Sequence, residues 1–448
     1  MEAGDSSGSP ARRDGRPLGI LAAGGPLPIR LAEAGLCRGR SVHIVAIDGF
    51  ADEAIARFPH ERVNLGQLGR ILGSFKQADV GEIVIAGAIQ RPNLSALRID
   101  WGFVKNLPTV YALTRGGDDS VLRRVVRFFE GHGFKVVGAS DIAPDLLAPI
   151  GQLTAGAPSS ASKVAITRAR ALISALGPFD IGQGVVAGAD GIVAVESVLG
   201  TDAMLRDLGP GGIAQGRGEG GVLVKLAKPG QEMRIDLPTI GPETVRGAAA
   251  AGLAGLAIGG GATIVIEREQ VIEAADRAGM FVAALEFVSD VTGSDAAADP
   301  AAASPVQAPA TLQVVARRAP TPGQRRDIGI GRRVLDVLRS HGAGRSVLVA
   351  REHVLAVSGV LAPAEFVSSR GRIRTWGGRL LGRRRGVLVI DGARAEDVLD
   401  VALFSAAKAT DLAGIVMLAP LAEGNRRAEI VAWANEAGVF LMCRAELP

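Results

Sequence analysis

The sequence predicts an α/β protein with three folded parts: a Rossmann-like N-terminal domain with a parallel sheet, a second α/β domain that carries the chemistry, and a degenerate copy of that second domain after a linker. Short apolar runs alternate with helical patterns at the spacing of βαβ units. Sixty of the 448 residues are glycine, about twice ordinary usage, and they have no collagen-like period. Residues after the linker also repeat landmarks found before it.

Composition excludes several classes of protein. With 48% hydrophobic and 21% charged residues, the chain is too apolar to be mainly disordered. Its two cysteines, Cys37 and Cys443, lie too far apart for a disulfide framework or a CxxC metal site, and the five histidines form no close pair. Residues 1–17 are polar, and no run of 18 uncharged apolar residues follows. We therefore expect a disordered leader at 1–17 and a cytoplasmic protein.

The N-terminal domain is expected to span residues 18–150. Strand patterns occur at 18–23, 42–47, 83–86 and 135–138, and helical patterns occur at 29–34, 65–76 and 121–130. Strands that alternate with helices at this spacing are typical of a parallel sheet.

Four further segments follow in the sequence. They are a connecting helix at 151–178, the catalytic second domain at 179–288, a flexible linker of Ala, Asp, Pro and Ser at 289–311, and the degenerate repeat at 312–448. Five landmarks support the repeat by recurring in order: 180–184 as 327–331, 192–195 as 354–357, 221–224 as 386–389, 253–256 as 412–415, and 278–281 as 437–440.

The two copies differ where polar residues are concentrated. Glu196 corresponds to Ser358, Lys225 corresponds to Ile390, and Thr201-Asp202 corresponds to Pro363-Ala364. Between the third and fourth landmarks the repeat is also six residues shorter. This pattern indicates a fold that has been kept without its chemistry.

The segment 221–241, which we call the diphosphate segment, has the strongest functional signal. It contains Lys225, Lys228, Gln231, Arg234 and Asp236 between prolines that restrict the backbone. Ammonium and guanidinium groups bind phosphate oxygens, and a carboxylate can orient a divalent cation or a water. A solvated hairpin face whose charges only confer solubility is the alternative.

Two carboxylates follow the predicted strand at 192–195. Glu196 comes directly after it, and Asp202 lies in the Gly-Thr-Asp-Ala-Met sequence at a strand end, where ligands of α/β proteins collect. We expect both to help Asp236 hold an oxygen-ligated Mg²⁺, with Mn²⁺ as the alternative ion. A helix N-cap made by Thr201-Asp202 would explain the same residues equally well.

Candidate substrate contacts lie in both domains. A glycine-rich turn follows the first strand and opens a helix, so its amides could hold a phosphate, although a purely structural turn explains it nearly as well. The expected substrate-binding residues are Gly24, Gly25, Leu27, Pro28, Arg91, Asp119, Gln231 and Thr239.

Positive charge is concentrated late in the chain. Residues 311–448 hold 21 Lys+Arg against 13 Asp+Glu, or +8, which leaves −4 for the rest of a chain whose net charge is +4. Seven arginines surround Trp376: Arg370, Arg372, Arg374, Arg379, Arg383, Arg384 and Arg385. Such a stretch favours an anionic membrane surface over nucleic acid, and a solvated loop is the alternative.

Residues 18–285 resemble the UDP-2,3-diacylglucosamine diphosphatases of lipid A biosynthesis, the two-domain type unrelated to metallophosphoesterases. The motifs that carry the resemblance are AAGGPLP, GQLGRILGSFK, GAIQRPNLSAL, GGDDSVLRRVVRFFE, DIGQG, LGTDAMLRD and KLAKPGQEMRIDLPTIGPETV. The last two are the most specific. Two features depart from the family: Leu199 stands where it tends to carry an acidic residue, and the linker and repeat have no counterpart in it.

The resemblance implies a magnesium-dependent hydrolase whose substrate cleft lies between its two domains. Water would attack the α-phosphorus of UDP-2,3-diacylglucosamine to give UMP and 2,3-diacylglucosamine 1-phosphate (lipid X). Asp236 matches the family's most sensitive aspartate, and Lys225, Lys228 and Arg234 are expected to act with it. We also expect an enzyme at the inner face of the cytoplasmic membrane that can form a homodimer. A nucleotide-sugar transferase and a non-catalytic nucleotide-sugar binding protein are the competing functions.

Overall fold

The computed structural model describes residues 15–89, 97–107, 118–211, 221–286, 311–359, 361–369 and 386–445, with backbone only at 118–120. The chain forms two compact units. Among the described residues, those up to 107 and those at 123–144 belong to the first unit, and those at 118–122 and from 145 onward belong to the second. Each unit is described by itself below. None of the helices in the described ranges is both long enough and apolar enough to cross a membrane.

The first unit contains a parallel five-stranded sheet of order β3-β2-β1-β4-β5. Its strands are β1 Leu18–Ala22, β2 Val42–Ile47, β3 His60–Val63, β4 Glu82–Ala86 and β5 Lys135–Val137. The parallel sheet was predicted from the sequence. Strand β3 was not, because its His-Glu-Arg-Val sequence has little apolar character and forms a partly exposed edge.

Helices accompany this sheet, and all of those named here bury apolar residues except the short helix at 101–105, which has no buried residue. They are α1 Leu27–Cys37, α2 Leu68–Gln77, α3 Trp101–Lys105, α4 Asp118–Glu130 and α5 Ala139–Ile142. In α2, for example, Ile71, Leu72 and Phe75 recur at helical spacing and are buried. This helix begins later than the sequence suggested because the amide of Asn64 donates to the side chain of Gln67, 2.9 Å away, and so forms a turn before it.

The second unit contains two six-stranded mixed sheets, which we call the second and third sheets of the protein. The second sheet has the order β6-β13-β11-β9-β7-β8. Its strands are β6 Gly151–Gln152, β7 Gly184–Ala187, β8 Ile192–Val195, β9 Val222–Lys225, β11 Gly255–Gly259 and β13 Phe281–Leu285, while β10 Thr239–Ile240 and β12 Ile264–Val265 form a separate parallel pair. Its helices are α6 Ser160–Leu176, α7 Thr201–Leu208, α8 Pro242–Ala250 and α9 Arg268–Arg277.

Helix α6 is not the connecting helix that the sequence suggested. Residues such as Ala165, Ala169, Leu172 and Leu176 are fully buried in the core of the second unit. A helix with so wide an apolar face loses free energy when it is exposed, so it packs on the sheet as part of the domain.

The third sheet has the order β14-β19-β18-β17-β15-β16, which matches the second sheet strand for strand. Its strands are β14 Leu312–Val314, β15 Ser346–Ala350, β16 His353–Val357, β17 Val387–Ile390, β18 Gly414–Pro420 and β19 Phe440–Arg444. Its helices are α10 Pro322–Ser340, α11 Pro363–Ser369, α12 Val401–Ala409 and α13 Asn425–Ala437. Directions match too, since β7 and β15 each run antiparallel to both neighbours.

Four of the five sequence landmarks fall on equivalent elements of the two sheets, but the match of 180–184 with 327–331 is wrong. Asp180 lies in the loop before β7, whereas Asp327 lies inside α10. Burial raises the pKa of the Asp327 carboxyl to about 6, and this carboxyl accepts hydrogen bonds from the amides of Arg351 and Glu352. The sheet registers instead pair Gly184 with Ser346. Residues 180–184 and 327–331 have similar amino acids, but the first segment is mostly a loop and the second is part of a helix.

Candidate functional site

Three residues form a row across neighbouring strands of the second sheet. Lys225 ends β9, Gly184 begins β7 directly opposite it, and the amide of Glu196 donates to the Gly184 carbonyl at 2.7 Å. Because Gly184 has no side chain, the side chains of Lys225 and Glu196 can meet above it. We call this set the three-strand row.

Thr201 connects the two charged ends of this row. The Lys225 ammonium donates to the Thr201 hydroxyl, which donates to Glu196 Oε1 at 3.0 Å. Lys225 Nζ and Glu196 Oε1 are 3.5 Å apart, and both side chains are about nine-tenths buried. A buried ion pair of this kind is held in place by the large cost of separating either charge from its partner. The row therefore holds an ammonium group in a fixed position.

Gly184→Ala is expected to lower the free energy of unfolding by about 1–3 kcal/mol, the usual cost of overpacking. A Cβ at this position would lie 2.4 Å from Glu196 Oε2, so Glu196 would have to leave the row. Gly191→Ala is the matched control, because a Cβ there meets nothing within 4 Å. Urea unfolding of both variants measures the effect, and equal midpoints would contradict this account of the row.

Gln231 organises the centre of the diphosphate segment. Its side-chain oxygen accepts from the Lys228 amide at 2.8 Å, and its side-chain nitrogen donates to the backbone oxygen of Asp236 at 2.7 Å and to Asp236 Oδ2 at 2.5 Å. Gln231 is buried, whereas Asp236 is half-buried. The glutamine thus fixes the Asp236 carboxylate while leaving it partly accessible. The sequence had predicted Gln231 as a direct substrate contact.

The two remaining cations of this segment are paired with carboxylates. The Lys228 ammonium donates to Asp180 Oδ1. Arg234 donates a bidentate pair of hydrogen bonds to Glu232, in which Nε lies 2.8 Å from Oε1 and Nη2 lies 2.9 Å from Oε2. Each of the three predicted phosphate-binding cations therefore has an acidic partner.

The predicted metal ligands do not assemble into one site. Glu196 is paired with Lys225, and Asp202 lies exposed in the first turn of α7, where it faces the positive end of the helix dipole. Within the described ranges, no group of three or more His, Cys, Asp or Glu residues could hold a metal ion. Glu196, Asp202 and Asp236 therefore do not form a joint ligand set.

Sequence reasoning missed several residues that shape the site. Gly184, Thr201 and Asp180 were not predicted as site residues, although Asp180 and Gly184 lie in a repeat landmark and in the DIGQG motif of the resemblance. Thr239, a predicted substrate contact, donates instead to the Leu237 carbonyl at 3.1 Å. The signals for Gly184 were its place at a strand start and its place at the end of the DIGQG motif.

The glycine-rich turn of the first unit lies at the switch point of its sheet, where ligands of such folds bind. Gly24 exchanges two backbone hydrogen bonds with Ala88, of 3.1 and 2.9 Å, and so joins the ends of β1 and β4. A Cβ at Gly87 would lie 2.6 Å from the Gly24 carbonyl oxygen, so the two turns pack backbone to backbone. Gly25 has a φ of +94°, and Leu27 and Pro28 open α1.

Two predicted substrate contacts cannot be placed. Arg91 lies outside the described residues, as does the Asp119 side chain, although the backbone of Asp119 belongs to α4. The seven arginines around Trp376 also lie outside the described ranges.

Comparison with known proteins gives consistent matches. Residues 17–146 match the model of the LpxI N-terminal domain, and residues 149–283 match that of the LpxI C-terminal domain. The UDP-2,3-diacylglucosamine pyrophosphatase LpxI of Caulobacter vibrioides is 40% identical over 271 residues, which are 60% of this chain and 96% of that protein. Both domains match in order and the relative is covered almost end to end, so the chain belongs to the LpxI family and carries a further region beyond residue 285.

Proposed function

We propose that this chain hydrolyses the diphosphate of UDP-2,3-diacylglucosamine in lipid A biosynthesis. The Caulobacter relative is named for this pyrophosphatase activity. The observation that carries the proposal is the half-buried Asp236 carboxylate, which Gln231 fixes beside the buried Lys228. Such a group can receive a proton from an attacking water, while ammonium groups stabilise charge on the phosphate oxygens.

The reaction balances with these residues. A water oxygen forms a bond to the α-phosphorus, and the bond between that phosphorus and the bridging oxygen breaks. The bridging oxygen leaves with the sugar phosphate, so the products are UMP and 2,3-diacylglucosamine 1-phosphate. We assign Asp236 to the proton of the water, and Lys225 and Lys228 to the charge of the diphosphate.

The charges of the site support a need for a divalent cation, Mg²⁺ or Mn²⁺. Lys225, Lys228 and Arg234 are opposed by four carboxylates, on Glu196, Asp180, Glu232 and Asp236. The described site is therefore one charge negative, which disfavours a diphosphate. Mg²⁺ is commonly held by one or two carboxylates together with substrate phosphates, so Asp236 would hold the ion in addition to its role toward the attacking water. When bound, the ion would supply positive charge to the phosphate oxygens.

Chelation is expected to lower UMP release by at least a hundredfold. The full-length protein would be dialysed against EDTA, assayed with substrate in detergent, and then supplemented with Mg²⁺, Mn²⁺ or Ca²⁺. Recovery with Mg²⁺ or Mn²⁺ supports the cation. Full activity after exhaustive chelation would remove the cation from the mechanism without affecting the hydrolysis proposal.

One assay separates hydrolysis from the competing functions. The protein is incubated with UDP-2,3-diacylglucosamine in ¹⁸O-labelled water, with and without a sugar acceptor. Label in UMP with no acceptor supports attack of water on the α-phosphorus, whereas label in the sugar phosphate places the attack on the other phosphorus. UMP that appears only with the acceptor indicates a transferase, and binding without turnover indicates a binding protein.

We further infer that residues 312–448 are a duplicated and degenerate second domain. The equal strand orders support this, as does the equivalence of the three-strand row with Ile390, Ser346 and Ser358. These three residues carry no charge, so the repeat cannot rebuild the row. Action of the enzyme in the cytoplasm at an anionic membrane, with the arginine-rich stretch as the contact, also stays a proposal.

A further inference from the structure

The second and third sheets meet at their edge strands. β8 and β16 are each the last strand of their sheet. The amide of Val198, just after β8, donates to the carbonyl of Leu355 in β16 at 3.1 Å. A Cβ added to Gly359 would lie 1.9 Å from the Val193 carbonyl oxygen, so backbone packs directly on backbone here.

These contacts have approximate two-fold symmetry. The sheet equivalence relates Val193 to Leu355 and Val198 to Val360 by the same offset. The counterpart of the Leu355 carbonyl, which accepts from the Val198 amide, is therefore the Val193 carbonyl. Val360 lies outside the described residues, but its neighbour Gly359 packs on the Val193 carbonyl. Equivalent residues thus face each other across the edge, as in an isologous interface.

The interface continues into a shared hydrophobic core. Helices α6 and α10, which are equivalent in the two copies, contact each other and contribute to one cluster of buried residues. Leu172 and Leu176 of α6 lie in that cluster together with Val334 and Leu338 of α10, and all four are at most 1% exposed. Equivalent helices α7 and α11 also line one cavity, through Met204 and Phe366. Obligate subunit interfaces have this apolar character.

We propose that the C-terminal region is an internal second subunit, which occupies the place on β8 and α6 that another copy of the chain would otherwise take. The repeat contributes β16, α10 and α11 to the contact, and the second domain contributes the equivalent elements β8, α6 and α7. The surface that the repeat covers is therefore one that an equivalent surface can bind. Covalent connection makes this contact intramolecular and favours it over a second chain. It also blocks an edge strand that could pair with other chains.

This contact reaches the proposed catalytic centre. The Val198 amide belongs to the turn between Glu196 and Thr201, in which the Gly200 amide also donates to the Ser197 carbonyl at 3.0 Å. Glu196 and Thr201 are the partners that hold Lys225 in the three-strand row. The repeat therefore acts as a positioning element for a row whose chemistry it has itself lost.

The length of the Caulobacter relative fits this inference. Since 271 aligned residues make up 96% of it, that protein is shorter than this chain by about the length of the linker and repeat. A chain that ends after Glu286 is therefore of a size known in the family. Without the repeat, its β8 edge and α6 face would be uncovered.

Hydrogen exchange of the full chain tests the contact directly. Gly359→Ala adds a Cβ against the Val193 carbonyl and is expected to speed exchange of the Val198 amide at least tenfold relative to wild type. Gly329→Ala, also in the repeat, is the control, because a Cβ there meets nothing within 4 Å. Val198 exchange that is the same in both variants would overturn the proposal. Gly359→Ala should also lower kcat. Only this measurement of kcat depends on the proposed hydrolysis, whereas the exchange measurement does not.

Solution mass tests the internal subunit. By light scattering the full chain is expected to have the mass of one copy, 46.0 kDa, in place of the homodimer expected from the sequence. A chain ending after Glu286 is expected to have twice its own mass at tens of micromolar. A shortened chain that is folded and monomeric at that concentration would overturn the proposal. If the shortened chain is insoluble, exchange at Val198 in the two full-length variants decides the question.

Discussion

Asp236→Asn is expected to lower kcat for UMP release by about a thousandfold or more while leaving the fold intact. The substitution removes the charge but keeps an oxygen that can accept from Gln231 Nε2, which lies 2.5 Å from Asp236 Oδ2. The turn 228–236 should therefore persist. Loss of a group that acts only in the transition state lowers kcat and kcat/KM together. Steady-state kinetics on substrate in detergent measure both quantities.

Asp190→Asn is the matched control for this experiment. Asp190 is an exposed aspartate in the turn between β7 and β8, and we expect its replacement to leave kcat and the unfolding midpoint near those of the wild type. Near-normal turnover by folded Asp236→Asn would remove this residue from the mechanism. A kcat that falls equally in both variants would indicate a general effect on the protein.

Lys225→Ile is expected to abolish activity and to lower the free energy of unfolding by about 3–5 kcal/mol. The substitution leaves Glu196 buried without its cationic partner, because its Oε1 lies 3.5 Å from Lys225 Nζ and its Oε2 has no hydrogen-bond partner among the described residues. Circular dichroism during urea unfolding measures the stability, and UMP release measures the activity.

The residues of the repeat indicate which further substitutions should restore the stability lost in Lys225→Ile. Its own residues at the row are Ile390, Ser346 and Ser358, and they fit together because the Ser358 hydroxyl accepts from the Ser346 amide at 2.8 Å. Combining Lys225→Ile with Gly184→Ser and Glu196→Ser should therefore restore much of the lost stability and none of the activity. If Lys225→Ile alone were stable and active, the three-strand row would have no role in stability or activity. If the triple variant were active, the catalytic residues would have to lie elsewhere.

The sequence by itself determined the order of elements and the position of the chemistry. Apolar periodicity is a local property, so the strands at 18–23, 42–47 and 83–86 were predicted close to their observed bounds. The concentration of Lys225, Lys228, Gln231 and Asp236 in one segment likewise needed no folding to be seen. Four of the five landmarks located the equivalent strands of the repeat because buried strands keep their apolar character.

Only the tertiary structure decided which of these residues meet. Glu196, Thr201 and Lys225 are brought together because the antiparallel register of β7 places Gly184 between the ends of β8 and β9. The burial of α6 in a core shared with α10 depends equally on long-range packing. The pairing of β7 with β9 joins residues that are distant in sequence, so the local pattern of either segment does not reveal its partner.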